Sequence, residues 1–499
     1  MDLLSNIALG FDVALTFQNL LYCFLGVLLG TLVGVLPGIG PVTTVAMLLP
    51  ISFTLEPVSA MIMLAGIYYG AQYGGSTTAI LVNIPGEASS VVTTIDGHQM
   101  ARRGRAGPAL GIAAIGSFFA GCIATLLIMV AAPPLAAIAL QFGPAEYFSL
   151  MVCGLIAAVV LARGSVVKAI AMVVLGLLLG LAGTDINSGI RRFDFGFQGL
   201  ADGIEFVALS MAIYGIAEVA YNLEQKQDTV VVTKAIGSVW PSWHDIRLCI
   251  PAILRGTTLG SLLGVLPGGG ALLAAFGAYT LEKKVAKPPR HFGEGDIRGV
   301  AAPESANNAG AQTSFIPMLT LGIPSNPTMA LMIGALMIHG IAPGPRVMTD
   351  RPELFWGVVA SMWLGNLMLV ILNLPLVGVW VRFLRIPYRL LFPAIIAFCC
   401  IGTYTINSNV FDVFVMAFFA VFGYLCLKLD CEPAPLILGF VLGPMMEENL
   451  RRALLISRGD PSVFVSEPIS LAFLLASALL LIVVAAPWIR ARREEALQE

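Results

Sequence analysis

Charge is what this sequence has least of. Of its 499 residues only 12% are Asp, Glu, Lys or Arg, against 58% hydrophobic residues and a mean hydropathy of +0.88. A soluble domain carries about a quarter charged residues, so a water-facing surface is excluded and a bilayer is the natural solvent. The net charge of −2 provides no basic face for nucleic acid. Cysteine occurs eight times but never in CxxC spacing, and Cys23, Cys122, Cys399 and Cys400 lie in apolar runs, as small core or lipid-facing residues do. No nucleophile and base pair, P-loop or metal-ligand cluster is present, which argues against an ATP-driven pump or a hydrolase. The N-terminus lacks a basic stretch and a small-residue cleavage site, so the first apolar span is expected to be retained as a working helix.

Apolar stretches long enough to cross about 30 Å of hydrocarbon recur along the chain, among them Leu20 to Leu36, Pro108 to Ala132, Val166 to Leu181, Phe355 to Leu374 and Ile469 to Ala486. The predicted fold is an all-α polytopic membrane protein with roughly 10–14 transmembrane helices plus broken or re-entrant ones. A repeat organises it. GVLLGTLVGVLPGIG at Gly26 to Gly40 matches GTTLGSLLGVLPGGG at Gly256 to Gly270, and four-residue glycine spacing gives each a smooth helix face. Gly70-Ala71-Gln72 leading to Asn83-Ile84-Pro85-Gly86 is then echoed by Gly310-Ala311-Gln312 leading to Gly322-Ile323-Pro324-Ser325. LGLLLG at Leu175 to Gly180 against LGFVLG at Leu438 to Gly443 is a weaker echo. The expected organisation is a first repeat over 1–221, a polar linker over 222–246, and a second repeat over 247–499 with a C-terminal helix and charged tail. The basic loop comes late in the first half (Arg102, Arg103, Arg105) and early in the second (Lys283, Lys284, Lys287, Arg290, Arg298). Opposite insertion of the two halves would produce that asymmetry, although Arg346 and Arg351 partly offset it.

Six interruptions of the apolar pattern read as helix breaks: Leu36 to Pro41, Tyr68 to Thr78, Asn83 to Ser90, Leu266 to Gly270, Pro303 to Ser314 and Gly322 to Pro327. A single proline-glycine kink is usually a bend, but ordered pairs of breaks are the pattern of transporter sites, where half-helix ends and freed carbonyls meet substrate and ion. The candidate binding residues are Pro37, Gly38, Gly40, Gly74, Gly75, Ser76, Thr77, Asn83, Pro85, Gly86 and Ser89 in the first half. Those in the second are Pro267, Gly268, Gly270, Asn307, Asn308, Gln312, Thr313, Ser314, Pro324, Ser325 and Asn326. No Lys or Arg occurs in 34–54, 67–90, 264–280 or 301–340, so an anion there must be held by neutral donors. The competing reading is that some of these hydroxyls bond back to their own helices. Glu87 and Glu304 are candidates for ion coupling, by Na⁺ or by a proton, with a helix-start carboxylate as the plainer alternative. Lys168, Asp185, Glu205, Glu218 and Asp412 lie near span ends, where snorkelling or a loop partner accounts for them. His339 is expected to be structural, and His98 part of a solvated basic loop.

At these motifs the sequence resembles the large membrane subunit of the tripartite tricarboxylate transporter family. LPGIGP, then GIYYGAQYGGSTTAILVNIPGEASSVVTTIDGHQMARRGRAGPALG (Gly66 to Gly111) and FGPAEYFSLMVCGL (Phe142 to Leu155), look like that family's signature, and GVLPGGG, PESANNA and GIPSNP also fit. The resemblance implies a secondary carrier of the bacterial inner membrane, driven by a Na⁺ or H⁺ gradient and without a further cofactor. It further implies a small transmembrane subunit, a periplasmic solute-binding protein and a small carboxylate such as citrate as partners. The alternatives on the residues alone are an ion channel, which also uses broken helices, and a stand-alone carrier without a binding protein; a membrane-embedded enzyme would need a catalytic constellation that the sequence lacks.

Overall fold

A computed structural model describes residues 3–36, 40–162, 165–185, 188–224, 238–266, 270–383 and 388–485. Pro37, Gly38, Pro267 and Gly268 lie outside the described residues, as does most of the expected linker. The chain is 79% helical. Gly183–Thr184 and Arg191–Arg192, paired antiparallel, are the strands among the described residues. Six described helices are long and apolar enough to cross a bilayer, including Phe17–Gly34, Ala106–Ala139 and Pro352–Asn373, and seven shorter apolar helices accompany them. The residues pack into two compact units, Met1–Ala136 with Phe206–Tyr424, and Ala137–Glu205 with Leu425–Glu499. Each unit draws on both halves of the sequence.

In the larger unit the glycine stripes set the packing. A Cβ at Gly26, Gly30 or Gly34 would overlap the carbonyl oxygen of Met63, Ile67 or Ala71, so Phe17–Gly34 lies backbone to backbone and parallel with Pro57–Val82. The second half repeats the arrangement: Gly256, Gly260 and Gly264 of Trp243–Gly264 meet the carbonyls of Ala302, Ala306 and Gly310 in Arg298–Thr313. Each glycine costs its helix about 1 kcal/mol relative to alanine. Close approach offsets this through dispersion contacts that any side chain would prevent.

These two motif helices correct the expected breaks. Tyr68 to Thr78 is wound throughout within Pro57–Val82, and Pro303 to Thr313 within Arg298–Thr313, with a kink only at Ser314 before Phe315–Leu321. Gly74, Gly75, Ser76, Thr77, Asn307, Asn308, Gln312 and Thr313 are therefore helical residues rather than turn residues. Their glycines serve packing: a Cβ at Gly70 or Gly74 would sit 2.6 Å from the Val27 carbonyl oxygen or 2.5 Å from that of Thr31. Both helices are almost wholly buried, and winding satisfies their backbone groups where water is absent. They run antiparallel, because Tyr69 packs on Phe315 with ring centroids 6.0 Å apart while Ser76 bonds Glu304. The chain does break at the next motif pair, where Asn83 (φ 62°) and Gly322 (φ 72°) both turn left-handed.

In the smaller unit Gly176 and Gly180 of Val166–Gly180 meet the carbonyls of Leu436 and Phe440, while Gly439 of Ala434–Ile456 meets that of Val173. The weak LGLLLG and LGFVLG echo thus packs on itself, in parallel. What the structure shows of this echo is a close glycine contact between its two copies. Arg451 forks onto Asp185 at 3.2 and 3.0 Å and reaches Glu447 at 2.6 Å, and Lys168 donates to the Leu429 carbonyl at 2.6 Å.

The basic loops are tied together. Asp96, fully buried, accepts the backbone N–H groups of Gly293, Gly295 and Asp296 at 2.8–2.9 Å and the Tyr279 hydroxyl at 2.9 Å. Such a row of backbone donors is an anion-binding nest, here filled by a carboxylate. His98 is half-buried with Nδ1 3.1 Å from the Ile80 carbonyl, not part of a solvated loop as expected, and His339 Nε2 lies 3.1 Å from the Ser52 carbonyl. Beside the nest, Arg298 and Asp296 form a buried bidentate pair at 2.7 and 2.9 Å. Burial acts to raise the Asp296 carboxyl, but the Arg298 guanidinium and two backbone N–H groups outweigh it and hold it below its ordinary value. A depressed pKa makes the pair's contribution complete at neutral pH and lost as pH falls below about 4. Asp296→Ala strands a buried guanidinium and is expected to destabilise the protein by about 3–5 kcal/mol. Thermal unfolding in detergent checks this, and adding Arg298→Met should recover most of the loss.

Candidate functional site

Along one face of Pro57–Val82 stand Tyr68, Gln72 and Ser76, four residues apart and therefore one above another. Each meets a residue delivered by a chain break or by the opposite motif helix. Tyr68 Oη accepts from Asn326 Nδ2 at 3.3 Å, Gln72 Oε1 lies 3.0 Å from the Ser89 hydroxyl, and Ser76 donates to Glu304 Oε2 at 2.5 Å. That spacing was present in the sequence, but it lay across a segment read as a turn.

The first break folds back on the helix it leaves. A Cβ at Gly86 would overlap the Gly34 carbonyl and lie 2.5 Å from Gly75 Cα, so glycines of three separate motifs meet at one point. Glu87 then caps the short turn Ala88–Ser90, its N–H bonding Ser90 Oγ at 3.3 Å and its carboxylate accepting a short hydrogen bond from Ser89. Its side chain occupies the space left by Gly75, whose Cβ would lie 2.8 Å from Glu87 Cγ. The second break is built alike. Asn326, four residues after Gly322 as Glu87 is four after Asn83, caps Pro327–Ile338 by accepting the Met329 N–H at 3.0 Å. Its amide also donates to Ser314 Oγ at 3.2 Å. Ser325 is buried, and its Oγ has no hydrogen-bond partner among the described residues. Gly270 opens its helix at φ 44° beside Asn326, whereas Gly40 lies in open space before Pro41.

Glu304 is the point where the two halves converge. It is wholly buried, and its carboxylate accepts from Ser76, from Thr93 by a short bond, and from Asn307 at 3.5 Å. Asn308 supports it from behind, donating to Ser117 Oγ at 2.8 Å and to the Glu304 carbonyl at 3.1 Å. Neither Glu87 nor Glu304 has a cationic partner among the described residues. Gln312 turns away, bonding Asn366 at 2.9 Å and Thr125 at 2.7 Å. Thr77, Thr313 and Ser314 donate to carbonyls of their own helix, which is the plainer of the two expectations for them. Thr93, Ser117, Asn366 and Asn373 were not singled out in the sequence, because each is an isolated polar residue in no recurrent motif.

Beside Ser76 lies a cavity of about 20 Å³ with Tyr73, Ser76, Thr77, Ser117 and Asn373 as its polar wall and Leu110 and Leu374 among its apolar one. It has room for about one water and not for a carboxylic acid substrate.

The Tripartite tricarboxylate transporter TctA family matches residues 20–438 of the chain. An Agrobacterium vitis protein described as an uncharacterized 52.8 kDa protein in TAR-I ttuC' 3'region is 58% identical over 499 residues, covering 100% of this chain and 99% of that protein. A second, described as an uncharacterized protein in TAR-II ttuC' 3'region of Agrobacterium vitis, is 58% identical over 240 residues, 48% of this chain and 99% of its own length. No solved structure matches. A match across most of the chain, on a helical fold with six described helices long and apolar enough to cross a bilayer, places this all-α multi-pass membrane protein in the tripartite tricarboxylate transporter TctA family.

Proposed function

We propose that the chain is the large permease subunit of a binding-protein-dependent carrier that takes up small organic carboxylates across the bacterial inner membrane on an ion gradient. Its partners in this reading are a small transmembrane subunit and a periplasmic solute-binding protein. The observation that carries it is the pair of antiparallel motif helices, leading directly in the first half and through Phe315–Leu321 in the second to a left-handed residue and an Ile-Pro turn that presents a capping side chain. Antiparallel equivalents also support an inverted relation between 1–221 and 247–499. Because two of the six segments are wound, the substrate site narrows to the four that break, Leu36 to Pro41, Asn83 to Ser90, Leu266 to Gly270 and Gly322 to Pro327, with the neutral side chains beside them. Hydrogen bonds to a charged group contribute about 1.5–3 kcal/mol each, so a few amides and hydroxyls equal one arginine there. Arginine itself costs about 2.5–3.5 kcal/mol at mid-membrane.

The test is uptake of labelled citrate and other di- and tricarboxylates into proteoliposomes containing both membrane subunits, with and without the binding protein and an imposed cation gradient. Saturable accumulation that needs the binding protein is expected. Non-saturable flux down the substrate's own gradient would make the protein a channel and overturn the reading.

A further inference from the structure

Seven of the eight cysteines stand between uncharged neighbours, and Cys431 stands between Asp430 and Glu432. It is a free thiol, partly exposed, just past the end of Val410–Lys428, while Cys426, also free and 7% exposed, sits in the last turn of that helix. The way the helix ends joins the two. Asp430 turns left-handed (φ 53°), its N–H donates to the Leu427 carbonyl at 3.1 Å, and the Cys431 N–H reaches back to the Cys426 carbonyl at 2.8 Å. This pair of bonds is the helix C-cap in which the residues joined by the longer loop bring their side chains together, usually as an apolar contact. Here both side chains are thiols.

A backbone bond of that kind holds the two α-carbons about 5–6 Å apart, inside the range of about 4.4–6.8 Å that a disulfide spans. The thiols are also near enough to interact electrostatically. Lys168 pins the turn from the neighbouring helix Val166–Gly180 by donating to the Leu429 carbonyl at 2.6 Å, and Cys431 Sγ lies 3.8 Å from the same oxygen. Among the described residues no group of three or more His, Cys, Asp or Glu side chains is placed to hold a metal, so the two sulfurs are not part of such a set.

We infer that Cys426 and Cys431 are a reversible dithiol and disulfide pair, a redox modification site at the C-terminal turn of Val410–Lys428. Its oxidant is an external disulfide. Cys431, the more accessible thiol, loses its proton and attacks one sulfur of the reagent, whose S–S bond breaks to release one thiol. Cys426 then loses its proton and attacks Cys431 Sγ, which forms the internal S–S bond and expels the second thiol. Two electrons and the two cysteine protons leave on the reagent as its pair of thiols. The bridge fastens the short connection from Val410–Lys428 to Ala434–Ile456, directly after Tyr424 and Leu425, where the chain passes from the larger compact unit to the smaller.

The experiment is incubation of the purified full chain with glutathione disulfide, blocking of the remaining thiols with iodoacetamide, and mass spectrometry of the peptides. A short loop gives the second thiol an effective concentration of mM or more, so at about 0.1 mM glutathione the internal bridge should outnumber the glutathione adduct by about tenfold. Wild type should yield a peptide holding both cysteines that is lighter by two hydrogens and is restored by dithiothreitol. Cys426→Ser, which removes only the resolving thiol, should instead accumulate glutathione on Cys431, and Cys431→Ser should leave Cys426 unmodified. Thermal unfolding of the two serine variants at the wild-type temperature checks that the fold is kept. Wild type that carries glutathione on Cys431 without closing the bridge would show that the sulfurs do not meet, and wild type with both thiols untouched would show that Cys431 is out of reach. Either result would overturn the site.

Discussion

Gly86→Leu should reach the membrane in normal amount and transport nothing. At this position a side chain has no space, because the Gly34 carbonyl and Gly75 Cα already fill it. The Asn83–Ser89 turn must then lift away from Pro57–Val82 and take Glu87 and Ser89 off Gln72. Displacement of a positioned group by about 1 Å costs on the order of a hundredfold in rate, so uptake is expected to fall at least that far. Gly75→Leu acts on the same joint from the other side, by pushing out Glu87. Gly378→Leu is the matched control, since nothing lies within 4 Å of a Cβ there. Immunoblotting of membranes and initial rates of uptake check the pair, and wild-type transport by Gly86→Leu would disprove the close-packed turn.

Glu304→Gln should separate stability from transport. The amide keeps the shape and remains a partner for Ser76 and Thr93 while removing a buried charge that lacks a cationic neighbour. The variant is expected to unfold no earlier than wild type, yet gradient-driven uptake should drop by about a hundredfold, as follows when a membrane-buried carboxylate that takes up a coupling ion or proton is lost. Early unfolding in proportion to lost uptake would instead assign Glu304 a purely structural part.

Much of this was legible in the residues. Glycines at four-residue spacing announced backbone contact in both halves, and Asn83-Ile84-Pro85-Gly86 with Gly322-Ile323-Pro324-Ser325 marked two breaks, beside those at Leu36 to Pro41 and Leu266 to Gly270 where Phe17–Gly34 and Trp243–Gly264 give way to the next helices. The wound segments were misread because Gly, Ser, Thr and Asn favour turns by local propensity. Burial against a glycine stripe overrides that preference when the alternative is an unpaired backbone group in hydrocarbon. The partners of Glu304 were out of reach for a different reason. Thr93 is 211 residues away in sequence and Ser76 is 228, and no pattern along a chain reports which lone hydroxyl will face which lone acid.

The Asp96 nest constrains motion. One carboxylate from the first half is gripped by four donors from the second, all short and shielded, and Ser76 and Thr93 hold Glu304 a few turns away. Prising these elements apart would expose two acids at once with nothing to replace their bonds. They are riveted, and a motion that separates these two elements has to break all of those bonds together.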